Sequence, residues 1–257
     1  MGRHAVLDER FVSKAYLAQT RDAQGTSAEM RENMEEEIRI RKEQAEPVYD
    51  SRFIRVFDLQ YAPGKHYYDV SRRNAENLVA VKTAEEFRKM LPDAASCVVI
   101  LQEEGQEPKL LLSREYRFPA GRFLLSVPAG LLDEEDKRAE NPVFSAARRE
   151  IQEETGISLT EEDSIQMINP LVFSTPGMTD ESNALVQIVI RRNVTGQLSQ
   201  TGAVGGECFD GFRLVGKEEA EALLRQGMDE NGFFYSVYTW MALICFVTGF
   251  WMHEGVN

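Results

Sequence analysis

Three glutamates lie within five residues of one another in Ala146–Ile157, A-A-R-R-E-I-Q-E-E-T-G-I, directly after a pair of arginines. Read as a helix, Glu150 and Glu154 stand at i and i+4 on one face, with Glu153 beside them at i+3. Carboxylates gathered at one helical end repel one another. A fold tolerates that when a hard divalent cation sits among them, because Mg²⁺ prefers carboxylate and water oxygens. Arg149 is close enough to orient a carboxylate and keep it ionised. The helix is well marked: Asn141 and Pro142 supply an N-cap and a first-turn proline, and Gly156 supplies the stop. Without further pattern, such a cluster reads more often as a solvated helix face.

The elements around it suggest a mixed sheet between helices. Strand-like runs fall at Ala95–Gln102, Leu110–Tyr116, Phe123–Val127, Ile165–Phe173, Ala184–Arg191 and Gly211–Val215, with helices over 142–155 and 217–226. Strands and helices alternate irregularly, so the fold class is α+β, an α/β/α sandwich, rather than a doubly wound sheet. Upstream, Phe53–Tyr61 and His66–Arg72 read as a hairpin about a Pro63-Gly64 link, followed by a helix at Thr83–Leu91. Residues 27–44 carry apolar positions at helical spacing among dense opposite charges. The domain reading is therefore an N-terminal extension with a charged helix (1–50), a hairpin-and-helix segment suited to dimerisation (51–94), and the catalytic domain (95–257).

A formal net charge of −13 over 257 residues argues against nucleic acid or anionic membrane as partners. Cys97, Cys208 and Cys245 show no paired spacing, which fits a reducing, cytoplasmic setting and offers no zinc motif. The apolar run Tyr238–Trp251 is too short for a bilayer span and reads as a buried terminal or subunit-contact helix.

The glutamate segment also resembles the Nudix box, G-(x)5-E-(x)7-R-E-U-x-E-E-x-G-U, where U is a bulky aliphatic residue. Arg149-Glu150-Ile151-Gln152-Glu153-Glu154-Thr155-Gly156-Ile157 matches its second half at every specified position, and Gly130 in Val127-Pro128-Ala129-Gly130-Leu131 fits the opening glycine. Eighteen residues separate Gly130 from Arg149 where the box has thirteen, an insertion of five. The first box glutamate has no fixed counterpart: Glu140 is nearest, and Asp136 or Glu135 serve nearly as well. Ser113–Arg122 leading into Pro128–Asp133, Ser174–Glu181, and His66–Arg73 are similar to the ADP-ribose pyrophosphatase branch. The similarity covers about 50–250.

By that resemblance Glu150, Glu153 and Glu154, with the Ala129 backbone carbonyl, hold Mg²⁺, or Mn²⁺ in its place. Arg149 orients the carboxylates. Arg117 meets a substrate phosphate, or is simply a surface cation. Arg72 reaches the nucleotide across the interface of a homodimer. Glu181 contacts the distal ribose, or caps the turn at Pro176-Gly177. Glu207, directly after a Gly-, Thr- and Ser-rich loop at 195–206, is the general base on a lid, or a solvated loop residue. Tyr67, Tyr68 or Phe118 could stack on a base. The implied substrate is a nucleotide sugar, foremost ADP-ribose split to AMP and ribose 5-phosphate. A UDP-sugar, another dinucleotide, or a non-catalytic nucleotide-binding regulator are the alternatives.

Overall fold

The computed structural model describes Met34, residues 38–202 and residues 206–252. Strand β4 (Ala94–Leu101) is buried along its whole length and pairs in parallel with the equally buried β9 (Ser182–Ile190). Such continuous apolar runs suit strands covered on both faces. Around this pair the main sheet is completed by antiparallel neighbours: β10 (Phe209–Val215) and β5 (Lys109–Arg117) on one side, β8 (Ser164–Phe173) on the other. Two short strands, β6 (Arg122–Ser126) and β7 (Ala129–Leu131), pair with β5 and β4.

Alternation along the strands sends side chains into two cores. Ala95, Cys97, Val99 and Leu111 face a helix α2 (Pro142–Thr155) through Ala146, Ala147 and Ile151. Val98, Ile100, Leu110 and Leu112 face α3 (Lys217–Gln226) and α4 (Val237–Thr248) through Ala220, Leu223, Ala242 and Leu243. This is the expected α/β/α sandwich with a mixed sheet. The terminal apolar run is α4 packed on the second core, and no helix among the described residues is long and apolar enough to cross a membrane.

Helix α2 begins and ends as its sequence dictates. The Asn141 side chain accepts from Phe144 N–H at 3.1 Å, and Gly156 adopts φ 76°, the left-handed conformation that favours glycine. Replacing Asn141 with alanine should therefore cost about 1 kcal/mol of stability while leaving the helix register intact. A denaturant titration checks this. A loss within error of zero would mean the cap is redundant with Pro142.

The N-terminal hairpin is a three-stranded sheet. Besides β2 (Arg55–Ala62) and β3 (Lys65–Ser71), joined through Pro63 and Gly64 (φ 68°), a strand β1 (Ala45–Asp50) pairs antiparallel with β2. β1 falls inside the stretch read as extension, and Pro47 stands within it. A proline is admissible there because β1 is an edge strand. Of the helix expected over 27–44, most lies outside the described residues; Met34 and Ile38 are helical and Lys42–Gln44 form a single 3₁₀ turn. The helix expected over Thr83–Leu91 is the short α1 (Ala84–Arg88), capped reciprocally by Thr83 and Glu86.

This small sheet is fastened to the sandwich by Arg73. Its guanidinium is nearly buried and pairs with Asp93 at 2.6 Å and Asp180 at 3.2 Å. Val70 N–H donates to Met178 O at 3.0 Å and the Tyr67 hydroxyl to Gly177 O at 2.7 Å. The junction therefore rests on the segment between β8 and β9.

Candidate active site

The periodicity that buries α2 also buries its carboxylates. Val143, Ala146, Ala147, Glu150, Ile151 and Glu154 share the inward side, and Glu150 and Glu154 are only 5% and 3% exposed. Strand β7 lies across them. Gly130 is required by this approach: a Cβ there would sit 1.8 Å from Glu150 Oε1 and 1.9 Å from its Cδ. One residue earlier, Ala129 N–H donates to Glu154 Oε1 at 3.3 Å, while Glu154 Oε2 is buried with no hydrogen-bond partner. A buried carboxylate oxygen without a donor is costly and calls for a reason.

Arg149 clamps the front of the site. Its Nη1 donates to Glu150 Oε1 (2.7 Å) and Glu153 Oε2 (3.0 Å); its Nη2 donates to Leu131 O and Asp136 Oδ2, both at 2.8 Å. Asp136, only 2% exposed, also accepts from Ser145 Oγ at 2.8 Å. Of the three residues weighed for the first box glutamate, Asp136 is the one that reaches Arg149. It is also the sixth residue after Gly130, the place the pattern assigns. The five extra residues therefore lie between Asp136 and Arg149.

Two further glutamates complete the electrostatics. Burial pushes the Glu154 carboxyl up to about 9, opposed by the Ala129 N–H and aided by the charges of Glu115, Glu150 and Glu207. Burial likewise raises Glu150 to about 7, against the pull of Arg149 and with help from Glu153 and Glu207. Glu115 is buried and raised for the same first reason, opposed by Arg117, whose Nη2 lies 2.5 Å from Glu115 Oε2. Sequence reasoning missed Glu115. The signal was present, since Ser113, Glu115 and Arg117 alternate on one face of β5.

Glu207 is brought within electrostatic reach of Glu115, Glu150 and Glu154 by the docking of its loop. Tyr116 N–H donates to Cys208 O at 2.8 Å, and Ser199 N–H to Thr155 O at 2.9 Å. Gly202 passes so near α2 that a Cβ would come 2.7 Å from Glu153 O. Residues 203–205 of the expected lid lie outside the described residues. Arg117 joins the group through Glu115. Arg72 and Glu181, both expected to contact substrate, are bonded to each other in an ion pair.

The donor set is three carboxylates, Glu150, Glu153 and Glu154, and the Ala129 backbone, hard oxygen chemistry suited to Mg²⁺ or Mn²⁺ and not to softer metals. The unpartnered Glu154 Oε2 and the upward shifts of Glu150 and Glu154 fit a cation. Among the described residues no three such side chains are already gathered as a cage, and Arg149 holds Glu150 and Glu153.

A family model for the NUDIX domain matches residues 90–234, more than half of the chain. The chain belongs to the NUDIX family. Its Nudix helix is α2, and its Nudix loop runs from Gly130 to the Asp136–Arg149 clamp. The domain is 34% identical over 94 residues to Nudix hydrolase 14, chloroplastic, of Arabidopsis thaliana, covering 34% of this chain and 29% of that protein. It is 30% identical over 125 residues to the ADP-ribose pyrophosphatase of Saccharomyces cerevisiae, covering 48% and 49%. A solved structure described as an ADP compounds hydrolase aligns over 81% of this chain and 91% of that one at 17% identity, with a TM-score of 0.47. This Nudix chain spans less than half the length of the curated relatives it matches.

Proposed function

We propose that the protein is a divalent-cation-dependent pyrophosphatase that hydrolyses a nucleoside diphosphate linked to a sugar, foremost ADP-ribose. The observation that carries the reading is Glu154: a carboxylate buried beside Glu150 under β7, with one oxygen unpartnered. A structural helix has no use for that arrangement, whereas a cation-binding one does. The likeness to a yeast protein named as an ADP-ribose pyrophosphatase supports the choice of substrate.

Glu150, Glu153, Glu154 and the Ala129 backbone would hold the cation, which when bound neutralises phosphate oxygens and makes a coordinated water more acidic. Arg149 opposes the upward shift of Glu150 and holds the Glu150 and Glu153 carboxylates in place. Arg117, steadied by Glu115, stabilises charge gathering on the non-bridging oxygens as water attacks phosphorus. Glu207 accepts the proton that water loses. The bond between that phosphorus and the bridging oxygen breaks, leaving two monophosphates.

The decisive experiment is a product screen over nucleoside diphosphate sugars with and without Mg²⁺ or Mn²⁺. Metal-dependent release of AMP from ADP-ribose is expected, and no monophosphate from any of these compounds would reject the reading. Glu207→Gln should lower kcat about a hundredfold with Mg²⁺ affinity little changed. An unchanged kcat would assign the base elsewhere. We also propose a homodimer through the small sheet, where Tyr49 and Tyr68 are exposed on one face. Sedimentation should give twice the chain mass, and a monomer at working concentration would remove the dimer.

A further inference from the structure

A cleft of about 550 Å³ opens between the small sheet and the loop that follows β7. Its walls carry Arg55, Arg72, Arg73, Lys82 and Lys137 against a single acidic lining residue, Asp93, which Arg73 already engages. In a chain of net charge −13, five cations gather round this one cavity.

The cations divide by how firmly they are held. Arg73 is nearly buried between Asp93 and Asp180 and is a fixed part of the wall. Arg55 and Lys137 pair with Asp50 and Glu134, whose carboxylates are exposed. Arg72 pairs with a partly exposed Glu181. Ion pairs of that kind contribute little and exchange readily for a better anion. A phosphate offers more oxygens than a surface carboxylate and suits guanidinium and ammonium donors together. Leu131 places the cleft relative to the chemistry. It lines the cavity and stands two residues along β7 from Ala129, roughly 7 Å.

Resting on the pyrophosphatase reading, we propose that this cleft is a second phosphate subsite, for a phosphomonoester carried on a ribose of the nucleoside diphosphate substrate. The diphosphate lies at the carboxylate site and the extra phosphate, one sugar away, enters among Lys82, Lys137, Arg55 and Arg72. The preferred substrate class is thus a nucleoside diphosphate sugar bearing an additional phosphate.

Binding and hydrolysis test this separately. In calorimetry on the full chain, adenosine 2′,5′-bisphosphate should bind about tenfold more tightly than adenosine 5′-monophosphate. The preference should weaken with salt and vanish in Lys82→Glu/Lys137→Glu, two surface changes that spare both cores. Equal affinities for the two nucleotides, no binding of either, or a preference that survives the double substitution would each overturn the subsite. In the hydrolysis arm, ADP-ribose 2′-phosphate should exceed ADP-ribose in kcat/KM by a similar factor with Mg²⁺, and the ratio should fall to about one in the double variant. Should neither compound be cleaved while the binding preference holds, the pyrophosphatase reading fails and the phosphate cleft stands.

Discussion

Glu154→Gln should lower turnover on the order of a thousandfold while making the metal-free protein more stable at alkaline pH. The two effects have one origin. Glu154 is the most deeply buried glutamate of the site, and its Oε2 finds no donor. Burial and the neighbouring Glu115, Glu150 and Glu207 raise it from an ordinary 4.5 to about 9. A carboxyl raised on folding holds its proton in the native state over a range where the unfolded chain has released it. Its stabilising contribution is therefore complete below about 4.5 and declines as pH rises, ending once pH passes about 9. Glu150, raised to about 7, adds the same trend at lower pH.

Metal-free protein should thus lose melting temperature steadily from pH 5 to pH 9, by a few kcal/mol in all, at roughly 2–4 °C for each kcal/mol. Mg²⁺ should return most of that loss at pH 8–9 and little at pH 5, because only ionised carboxylates bind it. Glutamine keeps an oxygen for the Ala129 N–H and removes the charge. Its metal-free melting temperature should exceed the parent's at pH 9, match it at pH 5, and respond weakly to Mg²⁺. Melting curves across pH with and without the ion, beside steady-state kinetics, check every part. A variant with unchanged turnover, or one destabilised at every pH, would remove Glu154 from the site.

Gly130→Ala should reduce activity by roughly two to three orders of magnitude with only a modest cost in stability. The backbone of Gly130 would accept alanine, since its φ is not left-handed. The collision is with the Glu150 carboxyl, 1.8–1.9 Å from the added Cβ. That carboxyl sits at the end of a flexible side chain, so it can swing away and spare the fold. It then leaves the position fixed by Arg149, and an error of about 1 Å in a catalytic group can cost a hundredfold. Mg²⁺ affinity, measured by calorimetry, should fall in parallel. Retained activity would mean that Glu150 is not needed where it lies.

The catalytic helix was legible because its signals agreed: the Asn141 cap, the Gly156 stop, the apolar face through Ala146, Ala147 and Ile151, and the glutamates on that same face. The central strands were equally plain, their ends within a few residues of the observed ones. β7 left no signal, being three residues held in place by β4 rather than by any pattern of its own. β1 was hidden behind Pro47, which is permitted only because that strand is an edge. Glu115 was read as part of a motif string, although its alternation with Arg117 would have shown it pointing inward. The union of Arg73 with Asp93 and Asp180, and of Arg72 with Glu181, joins positions about a hundred residues apart in two of three cases and follows from no spacing.

The clamp between Asp136 and Arg149 bears on how this chain can change. Its two halves are tied across the inserted residues by a guanidinium that also reaches the Leu131 carbonyl. Whatever length of chain intervenes, the entry to the loop and the start of the glutamate run are fixed relative to each other. Lengthening such a tether costs little, since the closure entropy grows only with the logarithm of its length. Residues 138–140 are thus a place where insertions and deletions can accumulate without disturbing the carboxylates, a tolerant seam beside an intolerant glycine.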